Sequence, residues 1–236
     1  MTNHFKKFIY PLVVAASFAA SMAAHADDAV SFFRAIPVDN ASGIKSLIAG
    51  GFDPNTRDPR GQTGLLLAIR EPSPKVIEVL LATPKVNVDQ RNSADETPLM
   101  MAALKGQVDI AKRLIARDAD VNKTGWTPLH YAATSGNIPI MKMLLDKDAF
   151  VNSESPNGTT PLMMAAMYGT TDAVKLLLDE GADPLMKNQQ NMTPLDFATR
   201  ANRPDAVQLI STAAQAAQAK AAAAPKPAAG ASAPQQ

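Results

Sequence analysis

One short phrase returns six times along the chain, and that periodicity limits the fold more than any other feature. Its fullest copy reads Gly125-Trp126-Thr127-Pro128-Leu129-His130-Tyr131-Ala132-Ala133. A threonine hydroxyl accepts a hydrogen bond from an N–H that the first turn of a helix leaves unpaired, and proline at the first helical position sacrifices no bond. Thr127-Pro128 therefore predicts a helix start, and Leu129, Ala132 and Ala133 fall on its apolar face. Gly136 predicts a left-handed end where the chain turns back. A second apolar helix follows, ending in Leu144-Leu145. Sliding this pattern along the chain finds anchors at Val30, Thr63, Thr97, Thr127, Thr160 and Thr193, spaced by 33, 34, 30, 33 and 33 residues. Five residues after each anchor stands an alanine: Ala35, Ala68, Ala102, Ala132, Ala165 and Ala198. A small side chain at a fixed offset means that something packs closely there. Nine residues after the anchors come Asp39, Pro72, Gly106, Gly136, Gly169 and Asn202, of which all but Pro72 tolerate the left-handed conformation better than most.

Composition narrows the function. With 46% hydrophobic and 19% charged residues the chain is of globular class, and 12 glycines and 8 phenylalanines argue against an aromatic-rich sandwich or barrel. Its formal charge of +1 becomes −1 without the first 26 residues, which hold Lys6 and Lys7 and no acids, so no basic footprint for nucleic acid is expected. Residues 1–26 read as a secretory signal: Lys6-Lys7, then an uncharged stretch from Phe8 to Ala24, then the small-x-small sequence Ala24-His25-Ala26. Cleavage after Ala26 and a periplasmic location are expected. The rival reading is an uncleaved anchor, because 17 uncharged residues approach the lower limit of about 17 to 25 for a membrane span. Absence of cysteine rules out lipid modification at that residue, disulfides and a thiol nucleophile.

Thr127 to Ala133 resembles the signature of the ankyrin repeat, Thr-Pro-Leu-His followed by paired alanines. Thr97-Pro98-Leu99-Met100, Thr160-Pro161-Leu162-Met163 and Thr193-Pro194-Leu195-Asp196 keep three of the four letters, and Thr63-Gly64-Leu65-Leu66 keeps two. The resemblance implies an all-α solenoid of about six helix-turn-helix repeats with projecting finger loops, over residues 27–211. The repeats fall near 28–57, 58–91, 92–122, 123–152, 153–187 and 188–211. Residues 212–236 form an Ala/Pro-rich tail, first extending the last helix and then disordered, with Pro225 as the stop. Departures are specific. Pro72 and Pro74 predict a rigid turn in the second repeat, and the spacing of 30 between Thr97 and Thr127 predicts a short finger. Asp118 and Asp148 stand where Gly181 ends its helix, a left-handed position that Asp tolerates.

Little equipment for bond chemistry is present. His4 and His25 lie in the signal, which leaves His130, and the resemblance gives that residue a structural role, bridging the Thr hydroxyl and nearby backbone. No phosphate loop, nucleotide fingerprint or HExxH sequence occurs, so neither catalytic residues, cofactor nor metal is expected. Met100, Met101, Met163, Met164 and Met167 could offer thioethers to Cu(I), but flexible filling of helical cores explains them better. What the resemblance implies is a non-catalytic module that binds another protein, as an adaptor stabilising or regulating its partner. An inhibitor or immunity protein blocking a toxin or hydrolase is the alternative, and an enzyme or metal carrier the weakest. No nucleic acid and no lasting membrane insertion are expected, and a capped stack has no need to self-associate. Carried over from the family, contacts fall on finger tips and helix ends: Arg60, Gln62, Arg70, Glu96, Leu104, Lys105, Trp126, Thr134, Asn157, Met167, Tyr168, Met192 and Arg200. Trp126 and Tyr168 are the expected anchors, Trp126 alternatively bracing its finger. Thr97, Pro98, Thr127, Pro128, His130, Thr160, Pro161, Thr193 and Pro194 carry the structural motif. N-terminal sequencing of the exported protein is expected to begin at Asp27; a chain retaining Lys6 and Lys7 would mean an anchor instead.

Overall fold

The computed structural model describes residues 27–71 and 73–223. Residues 1–26 and 224–236, and hence the predicted signal, Pro225 and the tail's end, lie outside the described residues, as does Pro72. Twelve helices are found among the described residues: α1 (27–35), α2 (Ala41–Ala49), α3 (Gly64–Arg70), α4 (Pro74–Ala82), α5 (Pro98–Leu104) and α6 (Val108–Ile115). Then follow α7 (Pro128–Ser135), α8 (Ile138–Leu145), α9 (Pro161–Met167), α10 (Thr171–Asp179), α11 (Pro194–Arg200) and α12 (Pro204–Ala223). Extended pairing among them is limited to an isolated antiparallel bridge between Arg57 and Thr63. No described helix is long and apolar enough to cross a membrane.

The chain divides into two compact halves, one ending at Lys123 and the other starting at Thr124. In the N-terminal half α3 packs on α5 and α2 on α4, while α3 pairs with α4 and α5 with α6. In the C-terminal half α7, α9 and α11 form one layer and α8, α10 and α12 another, joined as the pairs α7–α8, α9–α10 and α11–α12. Each half is thus a row of helix-turn-helix repeats. The alanines five residues after the anchors lie inside these rows: Ala68, Ala102, Ala132, Ala165 and Ala198 have no exposed surface, and Ala35 is 7% exposed. Around them Leu66, Leu99, Leu129, Leu162, Leu114, Leu144 and Leu177 are fully buried. Each such side chain contributes about 1.5–3 kcal/mol relative to exposure.

The first repeat uses aromatic bulk. Phe32 is fully buried, its ring 4.7 Å from that of Phe52 and 5.3 Å, edge-on, from that of Phe33. This explains why the second repeat lacks the motif's proline. A Cβ added at Gly64 would stand 2.5 Å from the Phe32 ring, so only glycine fits at that helix start. Pro74 opens α4, and the hydroxyl of Ser73, the residue before it, donates to the Ile36 carbonyl at 2.7 Å instead of capping α4. The long loop after α4 is held by Arg117, whose guanidinium donates to the carbonyls of Leu81 (3.1 Å), Pro84 (3.3 Å) and Val86 (2.8 Å).

Turn chemistry matches the sequence expectation at all but one described position. Asp39, Gly106, Gly136 and Asn202 have φ of 51°, 67°, 66° and 52°, and Asp118 and Asp148 are left-handed at 60° and 58°. Gly169 departs from it. It is absent from the left-handed residues, and its helix ends in Tyr168 at φ −119°. Glycine is required there by crowding: a Cβ would lie 2.3 Å from the Ala133 carbonyl oxygen and 2.9 Å from Ala165 Cα. Gly169→Ala is therefore expected to lower stability by about 1–3 kcal/mol through overpacking, read as a fall in denaturant midpoint. Gly181→Ala should cost about 1–2 kcal/mol through φ alone, because its Cβ would meet nothing within 4 Å at φ 87°.

Candidate protein-interaction site

The surface that can vary rests on helix starts that cannot. At four anchors the Thr backbone N–H donates to the side chain three residues later, and the acceptor is a ring nitrogen once, a thioether twice and a carboxylate once. Thr127 donates to His130 Nδ1 at 3.1 Å, Thr97 to Met100 Sδ at 3.4 Å, Thr160 to Met163 Sδ at 3.4 Å, and Thr193 to Asp196 Oδ2 at 2.7 Å. Because a backbone N–H can only donate, Nδ1 of His130 is an acceptor and the ring proton sits on Nε2. Nε2–H then donates to the Thr159 carbonyl at 2.9 Å, tying one repeat to the next. His130 is fully buried with both nitrogens engaged. Met100 and Met163, 1% and 0% exposed, are spent on the same backbone position, which gives these two thioethers a structural task.

The fingers are built by a second repeated device that spacing analysis overlooked. Asp58, Asn92, Ser155 and Asn188 stand five residues before their anchors. Asp58 Oδ1 accepts from the N–H groups of Arg60 (2.9 Å) and Gln62 (2.7 Å), Asn92 Oδ1 from Ala94 and Glu96 (both 2.9 Å), and Asn188 Oδ1 from Gln190 and Met192 (both 3.0 Å). Ser155 Oγ accepts from Thr159 N–H at 3.0 Å. A small polar side chain at that offset was the available signal. In the expected short finger, Lys123 is 3% exposed and its Nζ lies 2.5 Å from Asp95 Oδ2. The carboxyl of Asp95 is held below the usual range, chiefly by that hydrogen bond and also by Arg91.

On this scaffold all thirteen residues expected to meet a partner are exposed or half-buried. Within the C-terminal half, Met167 and Arg200 end α9 and α11, Thr134 is the last residue but one of α7, and Tyr168 beside Met167 is 60% exposed. Asn157 and Met192 belong to its fingers. Trp126 is half-buried, its ring edge-on to His130 at 5.2 Å, so part of this side chain braces the helix start. In the N-terminal half Leu104, 39% exposed, and Lys105 end α5, and Arg70 ends α3 with its guanidinium 3.7 Å from Glu96. Arg60 and Gln62 sit on the first finger, the side-chain amide oxygen Oε1 of Gln62 buried without a hydrogen-bond partner among the described residues. Among the described residues no group of three or more His, Cys, Asp or Glu could hold a metal.

This arrangement belongs to a known family. A family model for ankyrin repeats in three copies matches residues 32–124, 74–155 and 149–220. The chain is a member of the ankyrin-repeat family, and its fold is that of a protein-interaction module. Two solved structures share the architecture. A chain from the solved complex of a predatory endopeptidase of Bdellovibrio bacteriovorus with an immunity protein aligns with a TM-score of 0.67 and 28% identity, covering 77% of this chain and 97% of that one. An ankyrin repeat domain from Acinetobacter baumannii aligns with a TM-score of 0.66 and 25% identity, covering 77% and 96%. Among curated relatives, alpha-latrocrustotoxin-Lt1a of Latrodectus tredecimguttatus is 35% identical over 82 residues, and neurogenic locus notch homolog protein 4 of Homo sapiens 36% identical over 76. Those matches cover 35% and 32% of this chain but 6% and 4% of the relatives.

The acceptor at the third helical position gives two expected outcomes. His130→Ala strands two buried backbone groups and opens a void, a loss of about 2–5 kcal/mol. His130→Met keeps an acceptor and should lose less, so midpoints should rank wild type, Met, Ala. The carboxyl of Asp196 is lowered mainly by the Thr193 backbone N–H, then by its hydroxyl. A lowered folded value stabilises above the unfolded carboxylate range of about 3.9 and is lost as pH falls through the folded value. Melting temperature should therefore fall less steeply below about pH 4 in Asp196→Asn than in wild type.

Proposed function

We propose that this chain is a non-catalytic binding module, exported to the periplasm, that holds one partner protein and stabilises or regulates it. The observation that carries the reading is the division of labour within each repeat. Residues at fixed offsets are buried or spent on backbone groups, whereas the ends of α7, α9 and α11 turn unlike side chains outward, with Tyr168 foremost. An exposed tyrosine beside a thioether, with an exposed arginine ending the corresponding helix of the next repeat, offers residue types that dominate binding energy at interfaces. Export is supported by Lys6-Lys7, the uncharged stretch after them and Ala24-His25-Ala26. Absence of catalysis is supported by the commitment of His130 on both nitrogens and by the lack of cysteine.

A second reading, an inhibitor or immunity protein that occludes a hydrolase, is favoured by the likeness to a chain from the complex of a predatory endopeptidase with an immunity protein. One experiment separates the two. Affinity capture from a periplasmic extract should recover a specific partner, and Met167→Ala with Tyr168→Ala should reduce its capture about tenfold. Melting temperature should stay nearly unchanged, as for surface substitutions costing about 0.5 kcal/mol or less. Unchanged capture, or a collapse of stability, would remove this patch from the interface. A captured hydrolase silenced at one-to-one stoichiometry would select the inhibitor reading; a partner that stays active would select the adaptor.

A further inference from the structure

Helices α5 and α9 carry nearly the same sequence and hold their thioethers differently. Pro98-Leu99-Met100-Met101-Ala102-Ala103-Leu104 and Pro161-Leu162-Met163-Met164-Ala165-Ala166-Met167 differ at the last residue alone. Met100 and Met163, 1% and 0% exposed, each accept the anchor's N–H at the sulfur. Met101 is 4% exposed, so α5 offers solvent almost no thioether, and it closes on Leu104. In α9 the equivalent of Met101 is Met164, which is half-buried, and the closing residue Met167 is half-buried as well.

Oxidation of a thioether follows its access to solvent, and the chain has no cysteine to react first. Met164 stands three and four residues before Met167 and Tyr168, which at helical spacing puts the three side by side. They belong to the surface on which the ends of α9 and α11 turn outward. The capping sulfurs of Met100 and Met163 are withheld twice, by burial and by the hydrogen bond they accept, so the helix starts survive conditions that alter the end of α9.

We propose that Met164 and Met167 form a site of reversible oxidation that weakens the hold on the partner while leaving the fold intact. This rests on the protein-binding reading above and adds a form of regulation. Hydrogen peroxide, as the oxidant, transfers one oxygen atom to the sulfur. The S–O bond forms, the O–O bond breaks, sulfur gives up two electrons, and the departing hydroxide takes the proton of the transferred oxygen and leaves as water. The product is a sulfoxide, a polar acceptor that a partner covering Met167 would have to desolvate. Reduction by a methionine sulfoxide reductase restores the thioether.

The test treats the purified chain with hydrogen peroxide and maps added oxygen on two tryptic peptides, residues 92–105 and 148–175, whose shared Thr-Pro-Leu-Met-Met sequence equalises intrinsic reactivity. Met164 and Met167 should oxidise about tenfold faster than Met100, Met101 and Met163, and all five alike in the urea-unfolded chain. Melting temperature should stay nearly unchanged. In affinity capture from a periplasmic extract, the oxidised chain should recover about tenfold less partner than the untreated chain, and reductase treatment should restore recovery. Met164→Leu with Met167→Leu, which gives α9 the closing residue of α5, should abolish that difference. The same change at Met143 and Met186, half-buried in α8 and in the loop after α10, should leave it in place. Equal oxidation of the two peptides in the folded chain, a collapse of melting temperature, undiminished capture after selective oxidation, or protection by the Met143/Met186 pair would overturn the inference and leave the protein-binding reading standing. Failure of the untreated chain to capture any specific partner would remove that reading, and the regulation with it.

Discussion

Close stacking of one repeat on the next is what every other feature depends on. Apart from α12, the described helices run for seven to nine residues. Helices that short are marginal in water because nucleation costs more than a few backbone bonds return. Their stability comes from burying one face against a neighbour, and the alanine five residues after each anchor lets the backbones approach closely enough to do so. A larger side chain at Ala132 or Ala165, both without exposed surface, would hold the neighbouring repeats apart and weaken the contacts of every residue in that layer.

Hydrogen bonds between repeats fix the register of that stacking. Ser73 donates to Ile36, Gln107 to Ile69 at 3.1 Å and Arg203 to Ala165 at 2.6 Å, each from the tenth residue after an anchor to the closing carbonyls of the preceding repeat's first helix. Lower in the loops, Asn55 accepts from Asn87 N–H, Asp89 from Asp120 and Asn152 from Asp183, at 2.7, 2.9 and 2.9 Å. The first three bonds satisfy carbonyls at helix ends that would otherwise be buried unpaired, which is why different side chains appear at one offset: a donor of sufficient reach is needed, not a particular residue.

Such a scaffold leaves its outward residues free to change. Substituting Leu104, Tyr168 or Arg200, all exposed, disturbs no buried layer, whereas substituting the buried anchors Thr97, Thr127 or Thr160 would. The same separation shows in the polar groups of the repeats. Their strongest polar groups, His130, Asp58, Asn188 and Asp196, are committed to backbone N–H groups and hold the frame.

The sequence alone determined the repeat, its period and nearly all of its turns, because Thr-Pro starts, buried alanines and left-handed Asp, Asn or Gly residues act through local backbone sterics and recur at fixed offsets. The thirteen side chains it marked for a partner are exposed or half-buried. Tertiary structure decided what depends on neighbours distant in the chain. Gly64 is glycine because Phe32 fills the space of a Cβ, and Gly169 because the Ala133 carbonyl does. Met100 and Met163 are capping acceptors, and Asp95 is neutralised by Lys123, 28 residues away. None of these follows from a residue's own propensity; the two glycines and the Asp95–Lys123 pair are set by atoms that only the packed repeats bring within contact distance, and the two thioethers by the rotamer that the packed core imposes on a side chain three residues from its donor.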